Sequence, residues 1–363
     1  MRLAILTYHS VKNYGAILQC YALKNVLSEF GDVEVINYTP PLFDDYFPNP
    51  QKILQITSNK RKLLYLIKWI VRRDQMEKES RKYKKLENFI KTKLISTERL
   101  ERSKLAGLND RFDVFVAGSD QIWNFEMNGW DTSFLLDFAN KKKISYAASA
   151  KLSALTDADI PRLLNALHSF AHISVREDDV CSFLRSNGLP AECDLDPTLL
   201  LNRATWEILL SKTAIGLSNY ILIYYVNAPD ILVSKAFEYA HRKKLKVVSL
   251  NRLKIHDDYC DFSDASIEEF MYLIRNATCV FTTSFHGMAF STVFNTNFFY
   301  EVPDNSTNNN QRLISLARKL GLEAQALCGE SSCETNISWP EVNQKLEALR
   351  KQSLQNLYNY LIN

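Results

Sequence analysis

Glycine is scarce in this chain, at 10 of 363 residues, and its glycines nowhere form the GxGxxG turn that brings a backbone up to a pyrophosphate. A dinucleotide reading is therefore poor. The seven cysteines, at positions 20, 181, 193, 260, 279, 328 and 333, include no CxxC pair and no regular spacing. That excludes a disulfide framework and points to reduced thiols in a cytosolic setting. No apolar run approaches the length of a membrane span, and the apolar part of "MRLAILTYHS" is too short for a signal peptide. It reads as a first strand. No nucleic-acid partner is expected, because no binding motif or aromatic-interleaved basic platform is present.

What remains is an ordinary globular composition, 46% hydrophobic and 23% charged, long enough for two domains with buried cores. The net charge of +3 is unevenly placed. Lys60 to Lys93 carry 13 Lys/Arg against 4 Asp/Glu, with Leu63, Leu64, Ile67, Trp69, Ile70 and Val71 among the cations. This pattern has two readings. One is a helix on an anionic membrane surface, making the protein cytoplasmic but peripheral at the inner membrane face through residues 60–93. The other, slightly preferred, is a helical insertion whose apolar stripe packs on its own domain.

Strand and helix patterns alternate in both halves, which predicts an α/β chain with mostly parallel sheets. "RLAILTY", the helical "AILQCYALKNVLSEF" and "VEVINY" make a βαβ unit. Strands are expected at "FDVFVAG", "KISYAAS" and "HISVR", and again at "YILIYYV", "KVVSL", "CVFTTS" and "NFFYEV", with helices between the latter set. The division predicted is residues 1–200, with a basic helical insertion at about 42–110, and residues 201–363. The boundary falls near Asp196 to Trp206, where Pro197 interrupts the pattern. A last helix, about Trp339 to Ile362, belongs to either domain or bridges them.

Four polar stretches follow strand candidates. "HSVKNYGA" brings His9, Asn13 and Gly15 to the first helix start, where they are expected to contribute to acceptor binding. "AGSDQIWN" offers Ser119, Asp120, Gln121, Trp123 and Asn124, hydroxyl-pairing groups beside an indole face, which suits a sugar acceptor. The alternative is an Asp helix cap with a core Trp. "ISVRE" puts Arg176 at a strand end, where a guanidinium grips a phosphate or carboxylate bidentately. "TTSFHGMAFSTVF" places Ser284, His286 and Gly287 at a strand-to-helix turn, where an open parallel sheet binds ligands and a helix start favours anions. Here the alternative is a packing histidine, with Gly287 relieving crowding.

Taken together, "NYGAILQ", "VAGSDQIWN", "SYAAS", "ISVRE", "DPTLLL", "TSFHGMAFS" and "RLISLARKLGL" resemble, in order and spacing, the polysaccharide pyruvyl transferase family. The resemblance runs from the first strand to about Leu322. It implies a GT-B-like fold, two Rossmann-like domains facing across a cleft. It also implies an activity: moving the pyruvyl group of phosphoenolpyruvate onto two hydroxyls of a sugar as a cyclic ketal, in bacterial surface-polysaccharide biosynthesis such as capsule or exopolysaccharide. Phosphoenolpyruvate is then a co-substrate, the acceptor is a sugar or lipid-linked oligosaccharide, and no metal or redox cofactor is needed. His286 resembles the family's essential histidine and Arg176 its donor-gripping arginine. Imidazole titrates near neutrality and suits both proton delivery and removal.

Many members carry arginine two residues before the histidine, where this chain has Ser284. The compensating cation is expected at Arg312, at another helix start, with Arg275 the weaker candidate. The rival readings are a GT-B glycosyltransferase using a nucleotide sugar, which phosphoenolpyruvate consumption would separate, and a non-catalytic relative.

Overall fold

The computed structural model describes residues 1–46, 73–210, 212–226, 228–253, 258–303, 311–329, 333–334 and 337–362. Its first half runs β1 (Arg2–Leu6), α1 (Tyr14–Leu27), β2 (Asp32–Val35), α2 (Arg73–Phe89), β3 (Val114–Ala117), β4 (Asp120–Trp123), α3 (Phe125–Asn128), β5 (Lys142–Ser145), β6 (Ala148–Ala150), α4 (Asp159–Leu167), β7 (Ile173–Val175), α5 (Asp178–Ser186) and β8 (Ala191–Cys193). All pairings are parallel, in the orders β2-β1-β3-β5 and β4-β6-β7-β8. A bridge between Ile144 and His172 joins the two groups.

Two adjacent strands are broken where sequence pattern alone predicts either a loop or an unbroken run. β3 gives way to β4 through Asp120 at φ 74°, and β5 gives way to β6 through Ala147 at φ 48°. Left-handed backbone at a residue with a Cβ costs about 1–3 kcal/mol and collects at functional sites. Asp120 pairs with Ala148 across the break, so the two strained positions lie side by side. "AGSDQIWN", expected as a loop, is thus a second strand segment whose first residue is turned by the break.

The second half runs α6 (Pro197–Leu200), α7 (Arg203–Leu210), β9 (Tyr220–Tyr224), α8 (Leu232–Lys243), β10 (Lys246–Ser249), β11 (Cys260–Asp261), α9 (Ile267–Asn276), β12 (Cys279–Thr282), α10 (Phe285–Phe294), β13 (Phe298–Tyr300), α11 (Gln311–Leu320) and α12 (Trp339–Ile362). Its parallel sheet has the order β11-β10-β9-β12-β13. Every residue of β9 and β12 is buried, as expected for strands covered on both faces. That is why "YILIY" and "CVFT" are unbroken apolar runs. α9 begins with a capping box, Ser266 with Glu269.

The segment expected to be a domain boundary is a buried strut. All four residues of α6 are buried, and Asp196 caps it by accepting from the Thr198 amide at 3.0 Å. One hydrophobic cluster joins Ile17 and Leu18 of α1, Leu199 of α6, Met288 and Phe290 of α10 and Leu357 of α12. α12 seats on the first half: Asn356 and Tyr360 donate to Asp194 at 2.8 and 3.0 Å, and the Leu195 amide donates to Ser353 Oγ at 3.0 Å.

α2 straps the halves together. Lys78, Arg81 and Lys85 pair with Asp261, Asp264 and Glu269 of the second half at 2.7, 2.8 and 2.8 Å. Beneath them Tyr14 donates to the Ala265 carbonyl at 2.8 Å and stacks on Phe270 at 4.5 Å between centroids. Leu86, Phe89, Ile90 and Leu94 are buried in the same cluster as α1. The described part of the basic segment therefore packs on the protein itself. The apolar group from Leu63 to Val71, on which the membrane-surface reading rests, lies outside the described residues.

Candidate active site

The carboxyl ends of β1, β3 and β12 converge on a cavity of about 550 Å3. The loop after β1 contributes Ser10, Lys12 and Asn13, and β4 with its following turn contributes Asp120, Gln121 and Asn124. From the second half come Thr283, Ser284, Phe285 and His286 at the start of α10, and Arg312 at the start of α11.

His286 is held by chain geometry as much as by side chains. A Cβ added to Gly15 would lie 1.9 Å from the imidazole Nδ1, so only glycine at the second residue of α1 lets the ring sit there. Asn13 fixes that helix start, accepting from the Gly15 and Ala16 amides at 2.9 and 3.3 Å. On the other side Nε2 lies 3.9 Å from Asp196 Oδ2 and makes no hydrogen bond. Burial pushes the imidazole down to about 4, against the pull of Asp196. It is neutral at pH 7, with a carboxylate placed to stabilise it once it takes a proton.

Asp196 is the hub behind the histidine. Its Oδ2 accepts from Arg176 at 2.6 Å and Ser119 Oγ at 3.0 Å, while Oδ1 accepts from the Thr198 amide and hydroxyl at 3.0 and 2.7 Å. These donors, with Arg176 and His286 nearby, hold its carboxyl below the usual range despite full burial. Glu177 contacts Arg176 at 3.3 Å and accepts from Ser149 at 2.5 Å. Burial nevertheless raises its pKa.

Arg176, expected to grip the donor, does not line the cavity. Its guanidinium contacts Asp196 at 2.6 Å, Glu177 at 3.3 Å and Asp120 at 3.5 Å, and the Phe285 ring lies 5.0 Å from its centre. Three carboxylates hold it one layer behind the surface. The cavity cation at this end is Arg312, whose pKa falls to about 10 through burial and the nearness of Arg176. Arg312 stays charged at pH 7, and a bound anion would relieve the crowding of like charges. Arg275, the weaker candidate, is turned to Glu207 at 3.1 Å near the C-terminus of α9 and does not line the cavity.

Other expected residues divide. Ser284 lines the cavity and caps α10, accepting from the Gly287 amide at 3.4 Å. Gly287 serves packing instead: a Cβ there would lie 2.3 Å from Thr282 Oγ1, and its N–H is taken by the cap. Asp120, Gln121, Asn124 and Asn13 line the cavity, and Asn124 Oδ1 is a buried acceptor without a partner. Ser119 is fully buried and reaches the site only through Asp196. Trp123 offers no face to a sugar, being core with its indole N–H on the Phe134 carbonyl at 3.1 Å. His9 is also buried away from the cavity, with Nδ1 3.0 Å from the Thr7 carbonyl. Sequence reading missed Asp196 and Glu177 as site groups, along with Lys12, Lys151 and Tyr8 of the lining. The signals for Asp196 were an acid directly before a proline and an apolar run, and the place of "DPTLLL" among the stretches that carry the family resemblance.

The family model for polysaccharide pyruvyl transferases matches residues 13–305. The chain belongs to that family. The matched span holds His286, Asp196, Arg176 and the Asn13–Gly15 turn, and ends before Arg312. Among solved structures, the polysaccharide pyruvyl transferase is similar in fold to UDP-GlcNAc 2-epimerase from Neisseria meningitidis bound to UDP-GlcNAc, at 11% identity and TM-score 0.54 over 100% of both chains. It is likewise similar to the Methanocaldococcus jannaschii UDP-GlcNAc 2-epimerase, at 13% identity and TM-score 0.50 over 99% of each chain. The fold is GT-B-like, two Rossmann-like units with parallel sheets. No curated protein matches the chain. Among the described residues no helix is long and apolar enough to cross a membrane.

Proposed function

We propose that this transferase of polysaccharide biosynthesis moves the pyruvyl group of phosphoenolpyruvate onto two hydroxyls of a sugar acceptor, forming a cyclic ketal and releasing phosphate. The observation that supports this best is a buried, neutral His286 between Gly15 and Asp196, at a cavity whose nearby cation is Arg312.

The reaction makes two C–O bonds at the central carbon of the donor and breaks its bond to the phosphate oxygen. Of the two hydroxyl protons lost, one is balanced by the proton gained at the methylene carbon, which becomes methyl, and the other leaves on phosphate. A histidine that starts neutral accepts the first hydroxyl proton, and the resulting imidazolium can protonate the methylene. Asp196, 3.9 Å away, stabilises that imidazolium. Arg312 and the first turn of α10 receive the phosphate, the place where charge accumulates as the bond breaks. Arg176 is then a positioning residue, fixing Asp196 and Asp120 rather than touching the donor. Gln121, Asn124 and Asn13 pair with acceptor hydroxyls, and the buried Asn124 Oδ1 gains the partner it lacks. Whether the acceptor is lipid-linked, and whether residues 60–93 meet a membrane, are further parts of the proposal that vesicle sedimentation addresses.

The test is incubation with phosphoenolpyruvate and a pool of candidate acceptors, following phosphate release and acceptor mass together. Equal amounts of phosphate and pyruvyl ketal are expected. Consumption of a nucleotide sugar with phosphoenolpyruvate untouched would replace this reading with glycosyl transfer.

A further inference from the structure

Ser10 and Val11, on the loop after β1, wall the active-site cavity and also a second cavity of about 500 Å3. The far side of the second is built by α2 and the chain that follows it, through Tyr83, Ile90, Lys91, Ser96 and Thr97. Lys12, which lines the first cavity, reaches toward the second, with Nζ 5.9 Å from the Tyr83 ring centroid. The two spaces are thus neighbours divided by three consecutive loop residues.

The lining of the second space is chemically mixed. It combines the Tyr83 ring and the aliphatic side chains of Val11, Leu86, Ile90 and Ile95 with the hydroxyls of Ser10, Ser96 and Thr97, the Asn37 amide, Glu98, and the Lys91–Glu87 pair at 2.6 Å. A hydrocarbon tail would strip water from those polar groups without replacing their hydrogen bonds. A strongly ionic ligand would meet both signs at once. A neutral sugar fits both aspects, since its C–H face lies on an aromatic ring while its rim of hydroxyls pairs with side-chain donors and acceptors.

One wall is also braced from behind. His9 Nε2 lies 3.4 Å from Asn37 Oδ1, and Asn37 Nδ2 donates to the Thr97 carbonyl at 2.9 Å. His9, expected at the acceptor, thus supports the wall of the second cavity rather than lining the first.

We infer that the second cavity is a subsite for the sugar residues flanking the one that is modified. The inference rests on the proposed function only in calling that sugar the acceptor. The basic insertion, which supplies α2, then has a role in substrate length as well as in strapping the halves.

The probe is a set of oligosaccharides of one, two and three residues, released by mild acid from the surface polysaccharide of the producing cell. Binding is read by saturation-transfer NMR without phosphoenolpyruvate, so it does not depend on turnover. The wild type should bind the longer fragments at least about tenfold more tightly than the single residue, the gain expected from one further neutral hydrogen bond with a ring contact. Thr97→Trp, which fills the cavity, and the milder Tyr83→Ser should both erase that difference while leaving single-residue binding unchanged. Equal binding of all lengths by the wild type, or length dependence kept in a folded Thr97→Trp or Tyr83→Ser protein, would overturn the inference. Displacement of the fragments by decanol would assign the space to an apolar chain and overturn it too. Tight, length-dependent binding without any ketal formation would retain the subsite and instead remove the proposed reaction.

Discussion

Gly15→Ala tests how His286 is placed, because it adds one methyl group without removing any polar contact. The new Cβ would sit 1.9 Å from Nδ1, 2.2 Å from Cγ and 2.5 Å from Cε1 of the ring. Non-bonded heavy atoms approach to about 3.5 Å, so the imidazole must retreat by roughly 1.5 Å or tilt out of place. Misplacing a catalytic group by about 1 Å costs around 100-fold in rate, so kcat should fall by at least that factor. Stability should move less. Alanine gains about 1 kcal/mol over glycine in a helix, whereas overpacking costs about 1–3 kcal/mol. The two nearly cancel or leave a small loss. Steady-state phosphate release from phosphoenolpyruvate measures the rate, and thermal melting confirms folding. A folded Gly15→Ala enzyme with kcat within about threefold of wild type would refute the placement argument.

Arg312→Ala should raise the KM for phosphoenolpyruvate by roughly 10- to 100-fold, the loss of one charge-assisted contact, with Arg312→Lys recovering only part because the planar fork is gone. Ser284→Arg added to Arg312→Ala should restore donor binding, and unchanged constants in Arg312→Ala would end the compensation idea. The His286 imidazole is pushed down to about 4 when folded and titrates near 6.5 when unfolded, so between those values the unfolded chain binds more protons. Stability should therefore rise with pH through that window by about 3 kcal/mol from this group and be flat above it. His286→Gln should remove that part of the slope, and superimposable urea-derived stability curves would contradict it. Lys78→Ala combined with Lys85→Ala removes two ion pairs of the α2 strap, so the melting temperature should fall, and the gap from wild type should narrow as sodium chloride is added. A gap that does not respond to salt would mean the strap is held by its apolar face alone.

The alternating α/β order could be read from the sequence because buried parallel strands are short unbroken apolar runs and the helices keep their caps. The "SFHG" turn was legible for the same reason, since a strand end meeting a helix start is a local pattern. Gly15 was visible as a glycine at a helix start, but its cause was not. The ring it accommodates is 271 positions away in sequence, and no local pattern carries that contact. Asp196 was missed for a related reason: a proline after an acid reads only as an interruption of the pattern, while the burial of the helix that this proline begins, and the contacts of the acid that caps it, come from residues distant in sequence. Trp123 and Arg176 show the opposite limit. Their neighbours in sequence looked suited to a ligand, yet burial turned the indole to the Phe134 carbonyl and the guanidinium to three carboxylates. The breaks at Asp120 and Ala147 had no signal at all, since neither is a glycine.

The measurement that tests the central claim most directly is the transfer reaction run in deuterium oxide with wild type and His286→Gln. Proton transfer to the methylene carbon from an exchangeable group must place a single deuterium in the ketal methyl of each product molecule, with one phosphate released per ketal. The account predicts that product from the wild type and none from a folded His286→Gln enzyme. A ketal formed at wild-type rate by His286→Gln, or a product lacking deuterium in its methyl group, would contradict it.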